Sequence, residues 1–147
     1  MSNVKNNNIS IIGGAGHIGL PLAVTFAQKK FIVNIIDKNK KALNLIKKNI
    51  IPFRENNLEG KLKKSLKKNI FLTSDFKYLK NSKYIIVCIG TPVDKNQKPI
   101  VKDFFNIMQF IKNNTNEKQL IIIRSSVYPG FVNFLSKKFK MKNLFYC

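Results

Sequence analysis

Apolar residues along the chain fall into short runs separated by polar loops. Several runs are continuous and rich in β-branched residues, which is typical of strands buried on both faces of a sheet. The predicted strands cover residues 9–12, 31–36, 70–72, 84–89, 120–123 and 144–146. Such strands are typical of a parallel sheet rather than of a sheet with one face in water.

Between these runs the apolar positions follow helical spacing. Residues 17–29 are mostly apolar, with Pro21 in a first turn that tolerates its missing N–H. Three further helices are predicted by the sets Leu43, Ile46 and Ile50; Phe104, Met108 and Ile111; and Phe131, Phe134 and Leu135. The alternation of strands and helices predicts an α/β fold, a single domain whose parallel sheet carries helices on both faces.

A lysine-rich segment, residues 58–68, carries Leu58, Leu62 and Leu66 at helical spacing on one face. Two interpretations are open: a helix lying on a membrane surface, and a short helix docked on the domain with its lysines in water. The leucine stripe is narrow and lacks aromatic residues, which favours docking on the domain.

The chain has 147 residues and a formal net charge of +20, from 27 basic and 7 acidic residues. Such a charge is compatible with nucleic-acid binding, but Arg54 and Arg124 are the only arginines, and arginine dominates base and phosphate recognition. Abundant Lys, Asn and Ile instead indicate a coding bias toward A/T-rich codons. A solvated lysine surface is therefore favoured over a nucleic-acid partner.

The same composition indicates a cytoplasmic protein in a reducing compartment. No apolar run approaches the roughly 18 residues that span a bilayer, and the polar first ten residues lack a secretory signal. Cys88 and Cys147 are too few for a disulfide framework, and Cys88, within an apolar run, is predicted to be a core residue. No metal-ligand cluster or catalytic carboxylate pair is evident.

Residues 14–19 match the pattern G-x-G-x-x-G between a predicted strand and a predicted helix. We expect Gly14 to permit the turn out of the strand, Gly16 to admit a pyrophosphate close to the backbone, and Gly19 to let the helix approach the strand. The helix N-terminus then offers N–H groups to the phosphates. This context predicts a Rossmann-type dinucleotide site.

Asp37 ends the second predicted strand, where a carboxylate accepts hydrogen bonds from the adenosine ribose. It would also repel a 2′-phosphate, so the predicted cofactor is NAD, although Lys38, Lys40 and Lys41 could offset that repulsion. The structural alternative is a glycine turn that binds nothing, with Asp37 as a helix cap.

Thr91 and Ser126 also follow predicted strands, and the carboxyl ends of parallel strands meet at one edge of a sheet. Their hydroxyls could contact the cofactor or could be turn and cap residues. His17, the only histidine, lies in the glycine loop and is expected to pack on the cofactor rather than to act as an acid or base.

Five segments in order resemble the N-terminal domain of the nucleotide-sugar 6-dehydrogenases, nearer to the UDP-N-acetylhexosamine branch. They are residues 13–22 (GGAGHIGLPL), Asp37, residues 52–55 (PFRE), 89–94 (IGTPVD) and 124–130 (RSSVYPG). A different Rossmann dehydrogenase, such as a hydroxy-acid enzyme, would share the glycine loop. It would not explain the loops at 89–94 and 124–130.

The resemblance implies oxidation of a UDP-sugar C6 alcohol to a carboxylate with two NAD. It implies that His17 and Ile18 line the pyrophosphate, that Asp37 holds the adenosine ribose and that Thr91 contacts the cofactor. Ser126 stands near the nicotinamide, where the family usually has Thr. A basic residue common five positions after the ribose acid is Ala42 here, with Lys41 beside it as a substitute.

The resemblance also implies that residues 1–147 are the NAD-binding domain, without the family's central dimerisation and C-terminal catalytic domains. No catalytic residue is then expected in this chain, and UDP-sugar turnover needs the further domains. Full-length members are homo-oligomers. The alternative hypothesis is a stand-alone nucleotide-binding or basic adaptor module without enzyme activity.

Overall fold

One parallel sheet runs through the molecule, a computed structural model that describes residues 7–91, 95 and 101–147. Its strands are β1 (Asn8–Ile12), β2 (Ile32–Ile36), β3 (Ile70–Thr73), β4 (Tyr84–Val87), β5 (Leu120–Ile123) and β6 (Leu144–Tyr146). Their order across the sheet is β3-β2-β1-β4-β5-β6, with all five pairings parallel. The order reverses between β1 and β4, and such a switch point is where open α/β sheets bind ligands.

Helices connect these strands as the sequence predicts. They are α1 (Gly19–Gln28), α2 (Lys40–Lys47), α3 (Glu59–Leu66), α4 (Lys102–Asn114) and α5 (Phe131–Phe139). The predicted second helix extends too far, because Asn49 adopts a positive φ of 62° and leaves Ile50 exposed beyond the helix end. None of the helices in the described ranges has the length and apolarity needed to cross a membrane.

Alternate residues of the central strands pack into two separate cores, one on each face of the sheet. Ile11 and Ile35 belong to the core under α1, α2 and α3. Their neighbours Ile12 and Ile36 belong to the core under α4 and α5. The period-2 geometry of a strand produces this division. The predicted α/β fold with helices on both faces is thereby confirmed.

The lysine-rich segment forms α3 and docks on the domain. Leu58 and Leu62 are buried in the same core as α1, and Leu66 is partly buried against it. The lysines of the helix point into water. The structure therefore confirms the docked interpretation over a membrane-surface helix.

A 3₁₀ helix over Phe76–Asn81 is an element that the apolar pattern does not predict. Asp75 caps it by accepting a hydrogen bond from the Lys77 N–H at 2.8 Å. Leu79 anchors it in the core, and the ring of Phe76 stacks on that of Phe110 from α4, with centroids 5.2 Å apart. This short helix completes one wall of the site described below.

We expect Gly19→Ala to lower the free energy of unfolding by about 1–3 kcal/mol, the range of overpacked sites. A Cβ at this position would lie 2.5 Å from the Gly13 carbonyl oxygen and from the Gly14 Cα, both backbone atoms. The control is Gly60→Ala in α3, where a Cβ would meet nothing within 4 Å. Urea unfolding should show that Gly60→Ala leaves the free energy of unfolding unchanged or raises it by up to about 1 kcal/mol. Equal stability of the two variants would contradict the packing described here.

Candidate functional site

The turn after β1 is wedged between β2 and β4. Gly13 has a φ of 74° and donates its N–H to the Ile36 carbonyl at 2.9 Å. A Cβ on Gly13 would lie 2.6 Å from the Cys88 carbonyl oxygen. The sequence assigned the turn conformation to Gly14, whereas the structure assigns it to Gly13. Gly14 is instead limited by packing, because its Cβ would lie 2.9 Å from Cγ2 of Ile35.

The other two glycines of the motif differ in what surrounds them. Gly19 lies so close to the turn that a Cβ would overlap backbone, as expected for the residue that brings α1 onto the strand. Gly16 has open space instead: the nearest atom to its Cβ position is the Gly13 carbonyl oxygen, 3.5 Å away. The protein therefore leaves a cradle beside Gly16 into which a ligand can come close to the backbone.

The start of α1 adjoins this cradle and is open to an anion. Its N-cap residue, Ile18, has no capping side chain, and no acidic residue lies in the first turn. By contrast, α2 is capped by Asn39, whose Oδ1 accepts a hydrogen bond from the Ala42 N–H at 3.1 Å. An uncapped helix start presents N–H groups and a partial positive charge.

Asp37 follows β2 directly and lies against the glycine turn. Its Oδ2 accepts a hydrogen bond from the Ala15 N–H at 3.1 Å, and its Oδ1 accepts one from the Asn39 N–H at 2.9 Å. A carboxylate has about four acceptor positions, so hydroxyl donors can still bind. The predicted ribose acid is thus fixed in orientation by backbone groups and partly open to solvent.

The loops after β4 and β5 are joined by the two predicted hydroxyl residues. Thr91 donates its hydroxyl proton to the Ser126 carbonyl at 2.7 Å. The neighbouring Ser125 is buried and donates to the Val87 carbonyl at 3.3 Å. Thr91 therefore links the loops, which is a structural role, while the exposed Ser126 side chain is available to a ligand. Residues 92–94 of the IGTPVD segment lie outside the described residues.

His17 and Ile18 are exposed at the outer side of the glycine turn. The His17 ring stacks on that of Phe53, with centroids 4.2 Å apart and an interplanar angle of 26°. This contact brings the PFRE segment, between α2 and α3, to the glycine turn. Both segments carried the sequence resemblance, but nothing in the local pattern predicted that they touch.

A cleft of about 450 Å³ extends from the glycine turn past Asp37 to α4. Its far wall was missed by sequence reasoning and consists of Phe76, Asp103, Asn106, Ile107 and Phe110. One signal was present: Phe110 falls outside the apolar stripe of α4 and is 53% exposed.

An ion pair spans two walls of this cleft. Nζ of Lys38, just after Asp37, lies 2.9 Å from Oδ2 of Asp103 in the first turn of α4. Both side chains are mostly exposed, and both line the cleft. The pair therefore places two opposite charges at the end of the cleft beyond Asp37.

Cys88 packs against the core under α1, α2 and α3, as the sequence predicts, but it is only partly buried. It lies one residue beyond β4, is partly exposed and lines the cleft. Burial raises the pKa of its thiol to about 11, against an opposing effect of the Arg124 charge. Cys88 is therefore a neutral thiol rather than an activated nucleophile. Among the described residues, no group of three or more His, Cys, Asp or Glu side chains could hold a metal ion.

The cradle beside Gly16, the uncapped start of α1 and the fixed Asp37 carboxylate meet at the switch point of a parallel sheet. Backbone N–H groups suit a pyrophosphate, and the carboxylate suits ribose hydroxyls. The residues present therefore fit a dinucleotide. Together they define a Rossmann-type dinucleotide-binding domain.

Comparison with known proteins identifies the family. The model of the UDP-glucose/GDP-mannose dehydrogenase family, NAD binding domain, matches residues 7–144. The chain belongs to this family, whose cofactor is NAD, and the resemblance seen in the sequence is confirmed. The members of this family are NAD-dependent nucleotide-sugar dehydrogenases.

Individual relatives agree with this assignment. An uncharacterized protein of Methanocaldococcus jannaschii, MJ1054, is 35% identical over 84% of this chain and 14% of its own length. A UDP-N-acetyl-D-glucosamine 6-dehydrogenase of Salmonella typhi is 28% identical over 88% of this chain and 29% of its own length. The chain thus spans less than a third of either relative.

A solved structure shares the fold. The UDP-D-ManNAc dehydrogenase from Pyrococcus horikoshii superposes with a TM-score of 0.86 at 22% identity, covering 95% of this chain and 35% of that one. At that level of identity the likeness concerns the fold, and it confirms the parallel α/β architecture.

We expect iodoacetamide at neutral pH to modify the exposed Cys147 well before Cys88. Because the Cys88 pKa is raised to about 11, its thiolate fraction, and with it the labelling rate, should rise about tenfold per pH unit below that value. Mass spectrometry of Cys147→Ser, which retains Cys88 as the only thiol, measures this directly. Rapid labelling of Cys88 at pH 7 would contradict the assigned neutral thiol.

Proposed function

We propose that this chain is the NAD-binding portion of a nucleotide-sugar 6-dehydrogenase and binds the dinucleotide across the ends of β2, β1 and β4. The observation that carries this assignment is the Asp37 carboxylate, tied to the Ala15 N–H beside the open Gly16 cradle. The pyrophosphate would lie over Gly14, Gly16 and Gly19 at the start of α1.

The side chains of the site indicate which end of the cofactor would lie at which strand. Asp37, after β2, would accept hydrogen bonds from the adenosine ribose, so that the adenine lies against Phe76, Ile107 and Phe110. The nicotinamide would then lie toward the ends of β4 and β5, near Thr91 and Ser126. When bound there, NAD supplies the hydride acceptor for oxidation of an alcohol.

The residues of this chain would position the cofactor rather than carry out proton or acyl transfer. His17, stacked on Phe53, and Ile18 would cover the pyrophosphate from the solvent side. Thr91 would hold the β4 and β5 loops in register through its bond to the Ser126 carbonyl, leaving the Ser126 hydroxyl for the nicotinamide ribose. No group in this set is an activated nucleophile.

We infer a UDP-sugar substrate of the UDP-N-acetylmannosamine type for the whole enzyme. The PFRE and RSSVYPG segments support it, and a relative at 28% identity acts on a UDP-N-acetylhexosamine by its name. The reaction would oxidise the C6 alcohol to a carboxylate with two NAD. The family resemblance implies that this reaction passes through an aldehyde and a thioester on a catalytic Cys, and Cys88 is a neutral thiol. The sugar site, the nucleophile and the homo-oligomer interface would therefore come from outside these residues, and this chain by itself would not turn over UDP-sugars.

Cofactor titration tests the proposal. The chain should bind NAD more tightly than NADP, and Asp37→Asn should weaken NAD by about tenfold, because it removes a charged acceptor of ribose hydrogen bonds. Isothermal titration calorimetry measures both affinities. Glu117→Gln makes the same charge change on the exposed loop before β5 and should leave NAD binding unchanged.

Two outcomes would contradict the proposal. Absence of NAD binding, or a preference for NADP, would count against the dinucleotide site. Turnover of UDP-N-acetylmannosamine with NAD by the purified chain would refute the statement that it lacks a nucleophile, while leaving the cofactor site intact.

A further inference from the structure

We propose that Asp103 is a cofactor-specificity residue: by pairing with Lys38 it prevents that lysine from attracting a 2′-phosphate, so that the site discriminates against NADP. This inference rests on the proposed NAD site. It concerns the charges around the ribose end of the cleft, where the sequence alone left the outcome open.

Lys38 is the cation next to the ribose acid. It follows Asp37 directly, and both residues line the same cleft. A free lysine at this position would attract a phosphate on the adenosine ribose and offset the repulsion from Asp37. The sequence by itself therefore does not decide between NAD and NADP.

Asp103, on the opposite wall of the cleft, changes the balance between attraction by Lys38 and repulsion by Asp37. Its Oδ2 lies 2.9 Å from Nζ of Lys38 and occupies the lysine with a carboxylate of the protein. Asp37, Lys38 and Asp103 together carry one net negative charge, whereas Asp37 and Lys38 without Asp103 are neutral. A 2′-phosphate arriving beside Asp37 would thus meet one more negative charge than it would without Asp103, and it would have to displace Asp103 from the lysine.

The Lys38–Asp103 pair itself contributes little to stability. Both members of the pair are mostly exposed, with side-chain exposures of 82% and 64%, and exposed ion pairs add little to folding. Acidic residues are also scarce: the chain has 7, and two of them, Asp37 and Asp103, line this one cleft. Such a concentration in a chain of charge +20 is the opposite of what a phosphate-seeking surface would contain.

The test compares NAD and NADP binding by calorimetry at low ionic strength. Asp103→Asn should shift the ratio of NADP affinity to NAD affinity about three- to tenfold toward NADP, since a single partly screened charge is altered. Asp103→Glu, which keeps the charge, should retain the discrimination of the original chain. Glu117→Gln is the matched control, because it alters charge equally on a distant exposed loop.

A second substitution shows whether the effect runs through Lys38. In the double variant Lys38→Gln, Asp103→Asn, the shift toward NADP should disappear. The shift in the single variant should also shrink as salt rises toward 0.5 M, because screening weakens exposed charges. Unfolding curves would confirm that all variants fold.

Several results would overturn the inference. They are an unchanged ratio of NADP affinity to NAD affinity in Asp103→Asn, an equal shift in Glu117→Gln, or a shift that persists without Lys38. In each case the original chain would still bind NAD, so the proposed function would stand. Failure of the original chain to bind NAD would instead overturn both.

Discussion

The contact between the glycine turn and the backbone around it is the constraint on which the rest of the site depends. Side-chain atoms are excluded there: a Cβ on Gly13 would overlap the Cys88 carbonyl, and one on Gly19 would overlap the turn itself. Because α1 can then lie directly on the turn, its open N-terminus faces the switch point between β1 and β4. A larger residue at either position would force the turn or the helix to shift, because the atoms it would overlap are backbone.

The sheet turns this local arrangement into a composite site. Successive residues of β1 and β2 pack into opposite cores, which anchors the sheet on both faces. Because the strands are parallel, they all end at the same edge. Asp37, Thr91 and Ser126 are far apart in the chain, yet each follows a strand that ends at this edge. The hydrogen bond that Asp37 accepts from the glycine turn and the one that Thr91 donates to the β5 loop then fix the loops relative to one another.

The spacing of apolar residues and the turn residues between them predicted the strands, the helices on both faces and the position of Asp37. These features depend on local burial and turn chemistry. The far wall of the cleft was not predictable in this way. The stacking of Phe76 on Phe110, the contact of His17 with Phe53 and the Lys38–Asp103 pair join side chains from distant segments. Cys88 packs on the core as predicted, but it also lines the cleft, because β4 ends one residue before it.

Net charge and local charge diverge in this molecule, and the local charge governs the proposed cofactor site. A total of +20 reflects lysines in water, such as those along α3, and these are free to vary with codon composition. A ligand in the cleft interacts most strongly with the charges that line it, because salt screens more distant ones. Among the side chains that line the cleft, the carboxylates of Asp37 and Asp103 outnumber the ammonium group of Lys38. A strongly basic chain can therefore present a locally acidic ribose site, and its selectivity depends on where its few acidic residues stand rather than on its total charge.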